Sequence, residues 1–345
     1  MKKFFTVAAS LILSASLFAA CGSSAAPAAT TAAPETTAAV TETAETEAGK
    51  TFNVAIVQQL DHASMDEIRT AIEAELTKAA AGKGITIHYK DYNGQDDATV
   101  LNQIGAQVVS DGVDAIIPIA TLAATTMTTA AEDANIPVIY AAISDPASAS
   151  LTGLPNVTGT SDALNTPFIL DMMLAAQPDI QTVGLLYSNS EVNSVTPIAQ
   201  AKEYLDSKGI AYIEKTGNSA DEVLTAASAL VGRVQAVFTP TDNAIMAVES
   251  AVAEILNDAG IPHYTGADSF VAAGAFTTSG VNYTDLGTYT ADMTVDILLG
   301  GAIPEYHVMD GGIITVNTDT AAKLGIDYSV FKAMAGSLVE VTTAE

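Results

Sequence analysis

Apolar residues along this chain follow two alternating rhythms. From Phe52 onward, short unbroken runs such as Phe52-Asn53-Val54-Ala55-Ile56-Val57 give way to longer stretches in which apolar residues recur every three or four positions. Unbroken runs of this length read as strands buried on both faces, and the wider spacing reads as helix buried along one side. Ile85-Thr86-Ile87-His88-Tyr89, Ala115-Ile116-Ile117-Pro118-Ile119 and Pro137-Val138-Ile139-Tyr140-Ala141 are therefore predicted strands. Between them, Ser64-Met65-Asp66-Glu67 has the capping-box spacing and opens a predicted helix with Ile68, Ile72 and Leu76 on its buried side. A second helix is predicted from Ala98 to Ser110, with Val100, Leu101, Ile104 and Val108 on one face and Gly112 just past its end. A third is predicted from Thr121 to Ala134.

The same rhythm then restarts. Helices are predicted from Phe168 to Ala176, from Thr196 to Ser207, from the second capping box at Ser219-Ala220-Asp221-Glu222 toward Val231, and from Ala244 to Asp258. Strands are predicted at Thr182-Val183-Gly184-Leu185-Leu186-Tyr187, Ala211-Tyr212-Ile213, Ala236-Val237-Phe238 and His263-Tyr264-Thr265. Strand–helix alternation calls for parallel sheets covered by helices on both faces, joined by right-handed crossovers. The expected fold class is α/β: two doubly wound parallel-sheet lobes.

The first fifty residues read differently. Met1-Lys2-Lys3 is basic, Phe4 to Ala20 is apolar and rich in small residues, and Cys21 follows. Residues 1–20 are read as a secretory signal and not as a spanning helix. The segment resembles the bacterial lipoprotein signal, in which the Cys becomes the lipidated first residue; Phe18 stands where such signals usually have Leu. Residues 21–50, almost wholly Ala, Thr, Ser, Pro, Glu and Gly, have nothing to build a core from and read as a disordered tether. A lipid anchor at Cys21 followed by a tether would display the globular part on the extracellular face of a cell membrane, of Gram-positive type.

Composition narrows the function. The formal net charge of -27 over 345 residues repels phosphate backbones, so no nucleic-acid partner is expected. The single Cys leaves no internal disulfide and no Cys-based zinc site. Four scattered His residues lack metal-ligand spacing, and no metal or cofactor is expected. Neither a G-x-S-x-G elbow nor a G-x-G-x-x-G turn is present. Ala48-Gly49-Lys50-Thr51 imitates the end of a P-loop, but Ala44 replaces its first Gly and the segment precedes a strand. No enzymatic activity is expected.

What remains is a set of polar strand ends. In open parallel sheets, ligands bind beyond the carboxyl ends of the strands. Here those ends carry Gln58-Gln59-Leu60-Asp61-His62-Ala63-Ser64, Ala120-Thr121, Ser144-Asp145-Pro146, Ser188 to Ser194, Thr241-Asp242-Asn243 and Gly266-Ala267-Asp268-Ser269. Ser64, Asn193, Asp242 and Asp268 also stand where helix N-caps are expected, a role worth about 1 kcal/mol. Placement of all of them on one edge of two sheets favours a cleft, where helix N-termini bind carboxylates.

Taken in order, several of these words resemble one family. They are Gly112-Val113-Asp114-Ala115-Ile116-Ile117, Ile136-Pro137-Val138, Ser144-Asp145-Pro146, Asn156-Val157-Thr158-Gly159, Val183-Gly184-Leu185-Leu186-Tyr187, Thr239-Pro240-Thr241-Asp242-Asn243, Asp268-Ser269 and Tyr283-Asp285-Leu286-Gly287. The chain from Phe52 to Tyr328 is similar to the ABC-transporter substrate-binding lipoproteins related to the tryptophan and tyrosine importers. That resemblance implies a periplasmic-binding-protein type I fold, a Venus-flytrap of two lobes on a multi-strand hinge. Residues 51–162 and 284–308 would form one lobe, and 163–283 and 309–340 the other. Crossings would fall at Ser161, Asp162, Asn282 and Tyr283, with another near Asp310 to Ile314.

The resemblance also implies a small solute as ligand, a free amino acid, often aromatic, with a nucleoside or sugar as the alternative. Thr121 would hold its carboxylate. Gln58, Leu60, Ser144 and Asp145 would line the same side; Asn193, Asp242, Asn243 and Asp268 would meet it from the second lobe, an Asp taking the ammonium. Relatives often carry glycines soon after Ser-Asp-Pro, whereas Ala147-Ser148-Ala149-Ser150 follows here. The partners implied are an ABC permease and its ATPase, with the receptor a monomer. A sensory co-receptor of the same fold is the alternative role.

Overall fold

The structure, a computed structural model, describes residues 49–344. The signal segment, Cys21 and nearly all of the tether lie outside the described residues. The chain begins with β1 (Thr51–Gln58), α1 (Ala63–Lys83), β2 (Thr86–Asn93), α2 (Ala98–Asp111), β3 (Ala115–Ile119), α3 (Thr121–Ala131), β4 (Val138–Tyr140) and β5 (Val157–Ser161). It continues with α4 (Thr166–Ala176), β6 (Thr182–Tyr187), α5 (Val192–Lys208), β7 (Ala211–Thr216), α6 (Ala220–Ser228), β8 (Ala236–Thr239), α7 (Asn243–Met246), α8 (Glu249–Asp258), β9 (His263–Thr265), α9 (Asp268–Ala272) and β10 (Thr277–Gly280). Then follow α10 (Tyr283–Leu298), β11 (His307–Val308), β12 (Ile313–Asn317), α11 (Thr318–Leu324), α12 (Phe331–Met334) and β13 (Ser337–Val341).

These strands form two sheets. The first has the order β11-β5-β4-β3-β1-β2, all parallel. The second has the order β13-β12-β10-β9-β8-β6-β7. Its β10–β12 pair is antiparallel, a departure from the all-parallel expectation. The reason is topological. After β10 the chain leaves for the first sheet's lobe, builds α10 and β11 there, and returns to the second sheet at the end it had left. β12 must therefore run back the other way.

β1 shows why its run is unbroken. Val54 and Ile56 enter the core layer under α1, with Ile68, Ile72 and Leu76. Ala55 and Val57 enter the opposite layer, with Leu101, Val108 and Met127 of α2 and α3. Alternate residues of a strand point to opposite faces, so a strand covered on both needs no polar position. The second lobe repeats this, with Leu185, Ile198, Phe238, Tyr264 and Phe276 in one layer. Register then sets the cleft edge: Gln58 lies opposite Ile119, and Thr239 opposite Thr265, so neighbouring strands end level.

Several elements differ from the sequence expectation. α1 starts earlier than its capping box: His62 is the N-cap, accepting from the Met65 N–H, and Ser64 is already helical. At α6 Ser219 does cap, but the Glu222 carboxylate accepts from the Asn218 N–H, one residue outside the reciprocal box. α5 begins at Val192 and not Thr196, so Pro197 stands inside the helix, where it removes one backbone hydrogen bond. The expected helix from Ala244 to Asp258 is broken at Val248, which leaves α8 to start at Glu249 with its carboxylate 2.9 Å from His263 Nδ1 on β9. That pair, completed by His263 Nε2 at 2.8 Å from Thr239 Oγ1, is wholly buried. β5 and β10 carry too many Thr, Ser and Gly, and β11 is too short, to stand out as apolar runs.

Candidate functional site

The chain crosses between sheets at residues 162–165, 281–282 and 309–312. The carboxyl edges of the two sheets face each other across this junction, and the lobes touch there. Ser64 Oγ donates to Ser269 Oγ at 2.6 Å, and Ser144 Oγ lies 2.9 Å from Thr241 Oγ1. Thr196 Oγ1 donates to Asp145 Oδ2 at 2.6 Å, and His62 Nε2 to Asn243 Oδ1 at 3.2 Å. Beneath these contacts lies a small cavity lined from both lobes.

Each wall has a local cause. From the first lobe come His62, Ser64, Met65 and Ile68 of the first turns of α1, Ile119-Ala120-Thr121 at the β3–α3 junction, Ala142 and Ser144 after β4, and Asp162 and Tyr283 at the crossings. From the second come Asn193, Thr241, Asn243, Met246, Ala267 and Phe270. Gly266 lets two of these loops meet, since a Cβ there would lie 2.5 Å from the Thr241 N atom. Ala120 and Ala142, at the ends of β3 and β4, have φ of 72° and 57°. Non-glycine residues held in that region cost about 1 kcal/mol or more and cluster at ligand clamps.

The floor is apolar, made by Met65, Ile68, Ile119, Met246, Ala267 and Phe270. Against it stand a few polar groups. Among the described residues lining the cavity, Asp162 is the one carboxylate. It is 4% exposed, accepts from Ser144 Oγ at 2.9 Å and from the Tyr283 hydroxyl at 3.1 Å, and burial still pushes its pKa up. The Tyr283 hydroxyl, buried beside that carboxylate, is held well above its usual range and stays a donor. Asn193 Oδ1 is buried without a hydrogen-bond partner, while its Nδ2 donates to the Thr241 carbonyl. Long helices α1, α3 and α5 begin at this cavity, through Ser64, Thr121 and Asn193. Their N-terminal N–H groups and dipoles favour an anion. Burial lowers the His62 pKa, so its ring is neutral, donating from Nε2 and accepting at Nδ1.

Thr121, Ser144, Asn193 and Asn243, expected from the strand-end pattern, all line the cavity. Gln58 does not: its amide is spent on Leu60 O, Asp61 and Asp66, and it accepts from Arg69. Leu60 packs on the α1 core layer. Asp145 is a rim clasp. Burial would raise its pKa, but hydrogen bonds from Ser148 and Thr196 hold it below the usual value. Asp268 is the first residue of α9, not its N-cap; burial and neighbouring Glu67 push its pKa up to about 6. Asp162 and Tyr283, expected only as crossing residues, line the cavity, whereas Ser161 ends β5 and Asn282 caps α10.

Asp242 is the N-cap of α7, wholly buried, accepting from the N–H groups of Ile245 and Ser188 and from Ser194 Oγ. It is not among the residues that line the cavity. Asp242→Ala is expected to cost about 3 kcal/mol of folding stability, because it strands buried donors that each cost ~1–3 kcal/mol. Urea denaturation measures this. Unchanged stability with lost ligand binding would make Asp242 a ligand contact instead.

His62, Met65, Ile68, Met246, Ala267 and Phe270 escaped the sequence reading. His62 and Ala267 are helix N-caps and the others sit within helices, where apolar residues look the same whether they face a core or a cleft. His62 alone left a signal, a polar residue at a strand end.

Residues 53–333 match the family of ABC transporter substrate binding proteins. The chain belongs to that family. A tyrosine-binding protein of Clostridioides difficile is 29% identical over 290 residues, 82% of this chain and 84% of the relative. The ABC domain from Streptococcus pneumonia in complex with L-Trp superimposes with a TM-score of 0.77 at 28% identity, covering 84% of this chain and 100% of that one. The ligand-free, open structure of a substrate binding protein with adhesive properties from Clostridium difficile gives a TM-score of 0.64 at 30% identity, covering 85% and 100%. At nearly equal identity, this substrate-binding protein is thus nearer in shape to the complex than to the open form. That agrees with the hydrogen bonds joining its lobes. The architecture is the type I periplasmic-binding-protein fold.

Proposed function

We propose that this substrate-binding protein captures a free aromatic α-amino acid and hands it to an ABC permease driven by an ATPase. One observation carries the choice of ligand: a buried, hydrogen-bonded carboxylate, Asp162, in an otherwise largely apolar cavity under the N-termini of long helices. A zwitterion needs both poles. Asp162 takes the ammonium, with Asn193 Oδ1 as a second acceptor. Thr121 and the first-turn N–H groups of α3 and α1 take the carboxylate. Met65, Ile68, Met246 and Phe270 take the side chain. Buried charge is tolerated only when paired in this way. The ligands of the tyrosine-binding relative and of the L-Trp complex support the same class. The signal-like first twenty residues and Cys21 support a lipid-anchored receptor outside the membrane.

A thermal-shift screen of amino acids, nucleosides and sugars tests this. L-tyrosine, L-tryptophan or L-phenylalanine is expected to raise Tm by several degrees, since ligand at a hundred times Kd adds ~2.7 kcal/mol. A rise with a sugar or nucleoside, and none with any amino acid, would sink the proposal.

A further inference from the structure

We propose that Glu191 is a closure latch that takes up a proton as the lobes shut, coupling capture of the aromatic amino acid to proton binding; this rests on the ligand class proposed above. Glu191 precedes α5 in the second lobe and is 7% exposed, yet its side chain makes no capping hydrogen bond. It is turned toward the lobe interface. Oε2 accepts from Asn243 Nδ2 at 2.8 Å, and the Asn243 carbonyl oxygen receives His62 Nε2 from the first lobe. Oε1 receives Gln59 Nε2, also from the first lobe, at 3.4 Å. Gln59 in turn donates to Asp96 Oδ1 at 2.8 Å and accepts from the Leu122 N–H at 2.9 Å, in the first turn of α3. The latch thus reaches the helix end proposed to hold the ligand carboxylate.

The groups that face Glu191 are Asp242 from the N-cap of α7, Asp96 from the β2–α2 loop of the opposite lobe, Asn243, Asn193 and, through Asn243, His62. Closure covers the carboxyl with Gln59 and brings Asp96 toward it. Burial first, then the Asp242 and Asp96 charges, push its pKa up to about 8. With the lobes apart, water reaches the face that Gln59 covers and Asp96 draws away, so the pKa of the carboxyl falls.

The sign follows from linkage. A group whose closed-state pKa is raised favours closure fully below its open-state value and loses that contribution as pH rises through the closed-state value. Affinity then falls by up to ~10-fold per pH unit in between. His62 works the other way: burial lowers its pKa, so closure sheds its proton where the open form is charged, below ~6.5. The two cancel there. Asp268, at about 6 in the closed form, also acts below this window. Net uptake should therefore appear between ~6.5 and ~8.

Calorimetric titration of the full chain with L-tyrosine and L-tryptophan at pH 7.3, in phosphate and in Tris, counts protons through the difference in buffer ionisation heat. Uptake of roughly half to one proton per ligand is expected for the wild type and close to none for Glu191→Gln. Wild-type affinity should weaken about tenfold or more from pH 6.5 to 8.5, and that of the variant should stay flat. The wild-type proton count stands even if the variant folds poorly. Binding without proton uptake, or equal uptake by Glu191→Gln, overturns the latch and leaves the amino-acid reading standing. Failure to bind either amino acid at both pH values overturns the two together.

Discussion

Asp162→Asn is expected to weaken binding of L-tyrosine or L-tryptophan by about 100-fold or more while leaving the free protein folded. The change keeps the shape of the side chain and removes its charge. The ligand ammonium would then enter a buried site with no counter-charge, and truncating one partner of such a pair costs ~2–5 kcal/mol. About 2.7 kcal/mol is a hundredfold in Kd. Folding stability should move little, because the carboxylate is already disfavoured by burial and an amide can still accept from Ser144 or Tyr283. Calorimetric titration and thermal melts of the unliganded protein separate the two effects. Unchanged affinity would remove Asp162 from the ammonium pole. The acid would then have to be sought at Asp268, which adjoins the cavity-lining Ala267 and is half-buried.

Gly159→Ala is expected to be the most damaging small substitution in the first lobe, at about 3 kcal/mol or more, the upper range for overpacking a buried site. Gly159 pairs with Tyr140 between β4 and β5 and has φ of 155°. A Cβ there would lie 2.1 Å from the Tyr140 carbonyl oxygen and 2.4 Å from its ring. The Tyr140 side chain is wholly buried and cannot swing aside. Displacing β5 also displaces Ser161 and Asp162, which follow it, so ligand affinity should fall together with stability. Gly153→Ala is the control: it has φ of 74° but nothing within 4 Å of its Cβ position, so it bears only backbone strain of ~1 kcal/mol. Denaturant melts of both variants test the cause. Equal losses would mean that the contact with Tyr140 is not what matters.

The site was only partly legible in advance, for reasons visible in individual residues. Thr241, Asp242 and Asn243 are consecutive and all polar. One loop residue and the first helical residue line the cavity, while the N-cap between them turns its carboxylate back onto its own helix and Ser194. A strand-end position says that a polar side chain is near the cleft edge; its rotation about the helix entry decides whether it caps or faces the ligand. Ser64 shows the reverse: its spacing to Glu67 fits a capping box, but the helix begins two residues sooner and frees its hydroxyl for Ser269 in the other lobe.

By itself, the sequence determined what is local and periodic. Two sets of alternating strands and helices, the burial of β1 on both faces, and the gathering of polar residues at one sheet edge all follow from spacings of two to four residues. Only the tertiary structure decided which acid enters the cavity. Asp162 and Tyr283 stand 121 residues apart, and β5 and α10 bring them within 3.1 Å. Gln59 and Glu191 meet across 132 residues and from different lobes. Contacts set by how two lobes close leave no period in the chain, because closure is a property of the folded surfaces and not of neighbouring residues.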